Sequence, residues 1–203
     1  SPSYTYTTAG SYTVAHTVSN AVCSNTVTKT IAVKPQPAIA ATVQQIPCNG
    51  GGDGAITLNV TDGLPPYNYN WGNGVTSQNR MNLGVGNYSV VVTDANSCSD
   101  TENITITQPD LITYTITSIP ITCDSLTGTN LGQITIQNVA GGVAPFTYYL
   151  TNNFGDIFTP YLATTGEDYT FTIVNFGIYQ VDIIDSNGCS VVTSNIIIAS
   201  PPN

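Results

Sequence analysis

Charge is what this chain has least of. Only 7% of its 203 residues are Asp, Glu, Lys or Arg, against roughly 25% in an ordinary soluble domain. The surface must therefore be built from Thr, Ser, Asn and Gln, whose hydroxyls and amides carry solubility. The shortage is uneven, with three Lys and Arg against twelve Asp and Glu, for a net charge of −9. Phosphate binding needs clustered cations, so nucleic acid and anionic membrane surfaces are excluded as partners. Histidine is rarer still, since His16 stands alone. A Ser-His-Asp or Cys-His unit would have to be built on it, yet it lies inside an alternating run with no nucleophile motif beside it. It is read as a strand side chain, and no catalytic residue is assigned. Long apolar runs are missing too: none approaches the roughly 20 residues of a spanning helix, so no membrane insertion is expected. No basic segment followed by an apolar one opens the chain, so no signal peptide is read there. SPSYTYTTAG already has strand-and-turn character, and the chain is expected to be a mature segment of something longer.

What is present is a pattern run through twice, after a partial first unit. From Cys48 the order is CNGGGDGAIT, LPPYNYNW, GNYSVVVTDANSC and ITITQPD. From Cys123 it recurs as a cysteine, LGQITI, APFTYYL, GIYQVDIIDSNGC and IIIASPPN. Cys48 matches Cys123, Ile56 matches Ile134, Pro66-Tyr67 match Pro145-Phe146, and Cys98 matches Cys189. Gly86-Asn87-Tyr88 match Gly177-Ile178-Tyr179. Tyr88 and Tyr179 stand six residues before Asp94 and Asp185, which stand four before Cys98 and Cys189. A repeat as long as a small domain predicts beads in series. The boundaries fall at 1–37, 38–109 and 110–203, the first being half a sandwich. Gln108-Pro109-Asp110 is too short for a flexible tether, so neighbouring beads, or copies of the protein, are expected to meet end to end.

Helical spacing is nearly absent. Short alternating runs of Val, Ile, Thr and Tyr, separated by Gly, Asn, Asp and Pro, predict an all-β chain of tandem immunoglobulin-like β-sandwich domains. Residues 11–18 and 25–33 form a hairpin, which Lys34-Pro35-Gln36-Pro37 ends because proline cannot continue a ladder. In the first complete bead strands are expected at 41–45, 55–60, 67–71, 77–82, 87–93 and 102–107. In the second they are expected at 112–118, 133–137, 146–150, 168–174, 179–184 and 191–199, with an insertion at 151–166. Tyr88 and Tyr179, each just after a glycine turn, fit the corner tyrosine of sandwich folds.

Five cysteines in an acidic, Thr- and Asn-rich chain point to an oxidising, extracellular compartment. Pairing Cys48 with Cys98 and Cys123 with Cys189 gives each bead one staple at the same landmarks, although connectivity is not determined by sequence. Spacings of about 50 and 66 residues make each staple worth on the order of 4 kcal/mol in the chain-entropy model. Cys23 is left over, with a partner in the absent half of its own domain, a partner in another chain, or none.

These landmarks resemble the SprB repeat of Bacteroidetes cell-surface proteins, named after the gliding-motility adhesin. The matching stretches are CNGGGDGAIT, GLPPYNYNWGNG, LGVGNYSVVVTDANSC and ITITQPD, which cover almost all of the first bead. The second bead is a diverged copy: it lacks the glycine run after Cys123, has Tyr149 where a match to Trp71 is expected, and carries the insertion. The opening YTYTTAGSYTVAHTVSNAVCSNTVTKTIAV resembles the C-terminal half of a PKD-type sandwich. The resemblance implies a large secreted surface protein exported by the type nine secretion system.

The remaining candidates are modest. Calcium is the one ion considered, through Asp53, Asp62, Asp94 and Asp100, but no DxDxDG spacing occurs and aspartate is ordinary turn chemistry. No cofactor or metal site is assigned. Tyr67, Tyr69 and Trp71 fall on one side of a strand, which reads as core, or else as a sugar-stacking platform anchored by Trp71. Sequons place candidate N-glycosylation at Asn59, Asn87 and Asn103. Asp124-Ser125-Leu126 fits the Bacteroidetes O-glycosylation motif, pointing to Ser125. An isopeptide crosslink needs a buried lysine, for which Lys29 and Lys34, both read as near a strand end, are the only choices. The expected function is a non-catalytic, disulfide-stapled spacer in an extracellular adhesin or fibre, with a filament subunit completed by strand addition as a variant. A carbohydrate-binding module that takes surface polysaccharide is the alternative.

Overall fold

The computed structural model describes residues 3–124 and 128–201. Among them the chain is all-β, without helix. It divides into two compact units, Ser1–Gln44 with Gly54–Ile106, and Gln45–Asp53 with Thr107–Asn203. The expectation of one bead running unbroken over 38–109 therefore meets an exception: the loop Gln45–Asp53 belongs to the second unit.

The first unit opens with β1 (Gly10–Ser19) and β2 (Ser24–Val33), an antiparallel hairpin forming its own sheet. There follow β3 (Pro37–Gln44), β4 (Gly54–Asp62), β5 (Asn68–Asn70), β6 (Arg80–Leu83), β7 (Gly86–Thr93) and β8 (Ser99–Ile106). One sheet runs β3-β4-β6 and the other β5-β7-β8. Strict alternation supplies the core: Ile56 and Leu58 of β4, Val90 and Val92 of β7, and Ile104 and Ile106 of β8 are buried while their neighbours face outward. Each such side chain contributes roughly 1.5–3 kcal/mol by leaving water. The sheets approach closely at Gly54, where a Cβ would lie 2.8 Å from the Leu83 carbonyl oxygen and 3.0 Å from Ile106 Cγ2. The strand expected at 77–82 starts only at Arg80. The reason is that Asn79 Oδ1 accepts from the Leu58 amide at 3.0 Å and Gln78 Nε2 donates to the Leu58 carbonyl at 2.8 Å, so side-chain amides replace two ladder bonds.

The second unit contains β9 (Thr113–Ile119), β10 (Thr122–Asp124), β11 (Gly128–Asn130), β12 (Gly132–Ala140), β13 (Phe146–Asn152), β14 (Tyr161–Ala163), β15 (Tyr169–Ile173), β16 (Gly177–Ile184), β17 (Ser190–Val192) and β18 (Ile196–Ile198). One sheet is β15-β12-β9; the other is β14-β13-β16-β17, with β18 also on β16, and β10 and β11 pair separately. Ile134, Ile136, Phe171 and Ile173 from the first sheet share a core with Phe146, Tyr148, Leu150, Tyr179, Val181 and Ile183 from the second. The single strand expected at 191–199 is two. Buried Thr193 sits between them, its amide donating to the Val181 carbonyl and its Oγ1 accepting from the Val181 amide, both at 2.9 Å. The insertion supplies β14, and Tyr161 stacks on Tyr169 with ring centroids 3.8 Å apart. Tyr149 is not the counterpart of Trp71. Tyr69 faces Val92 and Tyr148 faces Ile183, each two residues before a turn aspartate, so Leu150 takes that place, fully buried.

The cysteine pairing differs from expectation. Cys48 is bonded to Cys189, with Cα atoms 5.5 Å apart and a sequence separation of 141; Cys98 and Cys123 are free, as is exposed Cys23. Pairing within a bead fails on topology. Cys48 follows the Gln44 end of β3, whereas Cys98 lies in the β7–β8 turn, hydrogen-bonded to the Asp62–Leu64 corner at the Pro37 end. Eight residues of strand at about 3.3 Å each separate those ends, and a disulfide tolerates Cα separations only up to about 7 Å. The same holds for Cys123, beyond the Ile119 end of β9, and Cys189, whose turn sits at the Thr113 end.

Candidate functional site

The two turns that carry Cys98 and Cys189 are built alike, and their centre is an aspartate. Asp94 is 3% and Asp185 5% exposed. Asp94 Oδ1 accepts from the amides of Asn96 and Cys98 at 2.8 Å, and Oδ2 from Leu64 at 2.9 Å. Asp185 repeats this with Asn187 and Cys189 on Oδ1 and Val143 on Oδ2, all at 2.9 Å. Burial opposes the Asp94 charge, but the amides of Leu64, Cys98 and Asn96 outweigh it and hold the carboxyl below the usual range. Gly63 and Gly142, at φ +64° and +57°, let the opposite corner approach: a Cβ on either would lie 3.0 Å from the aspartate Oδ2. Each aspartate thus locks a turn to the neighbouring corner and holds the adjacent cysteine half-buried at its lip.

In the second unit that lip is occupied. The loop Gln45–Asp53 brings Cys48 to Cys189 and is held by Asn49 Nδ2 on the Pro109 carbonyl, the Gly50 amide on Gln108 Oε1, and Asn187 Nδ2 on the Pro47 carbonyl, each at 3.0 Å. Ile46, 1% exposed, anchors the loop's start and donates its amide to the Thr107 carbonyl at 3.1 Å.

The tyrosines behave as corner residues. Tyr88 donates to the Gly84 carbonyl at 2.9 Å and Tyr179 to Asn175 at 2.8 Å. Tyr12 makes the same bond to Thr8 at 2.8 Å, a third copy that the sequence reading missed, although the GSY of residues 10–12 matches GNY of residues 86–88.

Tyr67, Tyr69 and Trp71 do share one side of β5 and its flanks, but they are half-buried and not core. Their counterparts Phe146, Tyr148 and Leu150 are fully enclosed. Trp71 Nε1 donates to the Ser77 carbonyl at 2.8 Å. The Arg80 guanidinium lies 5.6 Å from the Trp71 ring centroid and 5.2 Å from that of Tyr88, an arrangement that sequence spacing does not reveal. One face of the indole is therefore taken by a cation–π contact.

Asn59, Asn87 and Asn103 are exposed, and Asn87 Oδ1 accepts from Thr105 Oγ1 at 2.8 Å. Ser125 lies outside the described residues. Of the calcium candidates, Asp94 has both oxygens turned to backbone amides and Asp100 Oδ1 accepts from the Thr101 amide, while Asp53 and Asp62 are exposed. Among the described residues no three His, Cys, Asp or Glu side chains gather as a metal site. His16 is exposed in β1 opposite Val27. Lys29 and Lys34 are both exposed, and Lys29 sits in mid-β2, not at a strand end.

No curated protein matches the chain. A solved structure described as "Biofilm associated protein - BSP domain" shares 12% identity, covering 81% of this chain and 29% of its own, at a TM-score of 0.28. The chain thus spans under a third of that protein, and the likeness is too weak to assign anything. The family model of the SprB repeat matches residues 40–76, a segment that runs from β3 through the cysteine loop, β4 and β5 to Thr76, just past Trp71. Residues 40–76 are thus similar to the SprB repeat.

Proposed function

We propose that this chain is a non-catalytic structural segment of an extracellular, cell-surface adhesin or fibre, in which disulfide-stapled sandwiches act as a spacer. The observation that carries this reading is the repeated turn. In both units the buried aspartate accepts three backbone amides, and the corner tyrosine donates its hydroxyl to a backbone carbonyl. The groups a catalyst would expose are committed to holding chain. The SprB-repeat match and the disulfide both support a surface location. Export by the type nine system and a role in Bacteroidetes follow from the family resemblance.

The filament variant draws support from the β1–β2 hairpin, where Val14, Val18, Val27 and Ile31 are 37–63% exposed. A lone two-stranded sheet is marginal in water, so added strands would stabilise it. The carbohydrate reading retains only the free side of Trp71.

Antibody against this segment should label intact cells of the source organism, and the purified segment should stay silent on a glycan array. Labelling only after lysis would defeat the surface reading. Array binding lost in Trp71→Ala would move the assignment to a carbohydrate module.

A further inference from the structure

The observed disulfide follows from where each cysteine sits in its repeat. The cysteines fall into two kinds. Cys48 and Cys123 belong to the segment after the first strand of their repeat, each two residues beyond a buried isoleucine, Ile46 or Ile121. Cys98 and Cys189 follow the aspartate turn, and Cys23 closes the corresponding turn after Tyr12, where the Asn20 amide donates to its carbonyl. Loop and turn cysteines of one repeat lie at opposite ends of a strand of seven or eight residues, so they cannot meet. The bond that does form joins the loop cysteine of one repeat to the turn cysteine of the next, Cys48 to Cys189.

We propose that Cys98 is the acceptor of a loop cysteine from another SprB-type repeat, and that Cys123 is the donor of such a bond, so that these repeats are crosslinked in register along the fibre. The inference goes beyond the spacer reading, since free thiols are compatible with a spacer. Cys98 is held as Cys189 is: by the same aspartate geometry, half-buried, beside a groove in the same place. In the second unit that groove is bordered by Pro109, Asp110, Leu111 and Ile112, together with the donated Cys48 and Asn49, and measures ≈ 300 Å³. In the first unit it is bordered by Lys34, Pro35, Gln36 and Pro37 on one side and by the opening segment Tyr6–Ala9 on the other, and measures ≈ 700 Å³. The strand registers make these two borders equivalent, because Ala38 pairs with Thr61 and Thr113 with Ala140 at the same distance before Gly63 and Gly142. No cysteine loop is seated in the first-unit groove, which Cys98 lines.

Forming each bond removes two protons and two electrons from the two thiols. An oxidised dithiol–disulfide donor takes them by exchange and leaves as two thiols.

The test is peptide mapping, without reduction and after thiol trapping, of the full-length protein taken from its native surface, alongside a non-reducing gel. The expected result is a Cys48–Cys189 linked peptide, together with Cys98 linked to a loop cysteine in most molecules. A linkage to Cys123 with doubled mass on the gel places the donor in a second copy. A linkage to a loop cysteine outside these 203 residues, at unchanged mass, places it in the same chain. Both support the proposal. Cys98 recovered as a trapped free thiol, capped by a small thiol, or joined to Cys48 or to another turn cysteine overturns it.

Discussion

Tyr148 and Glu167 are the side chains of the second unit whose proton affinities folding shifts furthest. Burial, and then the charges of Glu167, Tyr161 and Asp168, push the Tyr148 phenol up to about 12, while its hydroxyl donates to the Glu167 carbonyl at 3.2 Å. Nearby, Glu167 is held down at about 2, first by the hydroxyl of Thr164 and then by the Thr165 amide. The signs follow from which form folding favours. The phenol keeps its proton more tightly when folded, so its contribution is complete below its ordinary value of 10.0 and is lost as pH rises through about 12. The carboxylate contribution is complete above 4.5 and is lost as pH falls through about 2. Tyr148→Phe should therefore make the alkaline limb of the melting temperature shallower, with the burial-raised phenol of Tyr179 keeping the rest, and leave the acid limb in place, as read by circular dichroism melts across that range. An unchanged alkaline limb would mean that Tyr148 does not control it.

At the scale of elements, the aspartate turn is the recurring device. Strand alternation places β16 with Tyr179, Val181 and Ile183 inward, and the same period carries Asp185 inward too. A buried carboxylate is tolerated there because three amides meet it. Asn at this position can offer one oxygen but must turn its own amide toward a donor. Asp185→Asn should cost about 1–3 kcal/mol, the price of a buried donor left unpaired, and should appear as a lower urea midpoint with unchanged slope. Neutral behaviour would show that water or backbone adjustment replaces the lost acceptor.

At the scale of the whole chain, the disulfide closes a loop of 141 residues. In the chain-entropy model such a closure is worth about 5 kcal/mol, and measured values for native disulfides run about 2–5 kcal/mol. The double substitution Cys48→Ala, Cys189→Ala should lower the stability of the second unit by that amount without altering its far-ultraviolet spectrum, since its sixteen-residue core does not depend on the loop. Loss of the β signature in native buffer would instead make the loop part of the folding core.

Strand identity and the all-β class were legible in sequence because a half-buried strand writes its burial pattern directly into residues at period two. β4, β7, β12 and β16 appear where alternation puts them, and the corner tyrosines follow from glycine spacing. Strand ends were less legible. Asn79, Gln78 and Thr193 replace ladder bonds with side-chain ones, and that choice depends on which backbone group happens to face them. The contact of Arg80 with Trp71 and Tyr88 brings together three strand regions that share no spacing rule. Repeat position alone suggested pairing Cys48 with Cys98. The fold paired Cys48 with Cys189, because distance between cysteines is set by which end of a strand each one occupies, and no one-dimensional spacing encodes that.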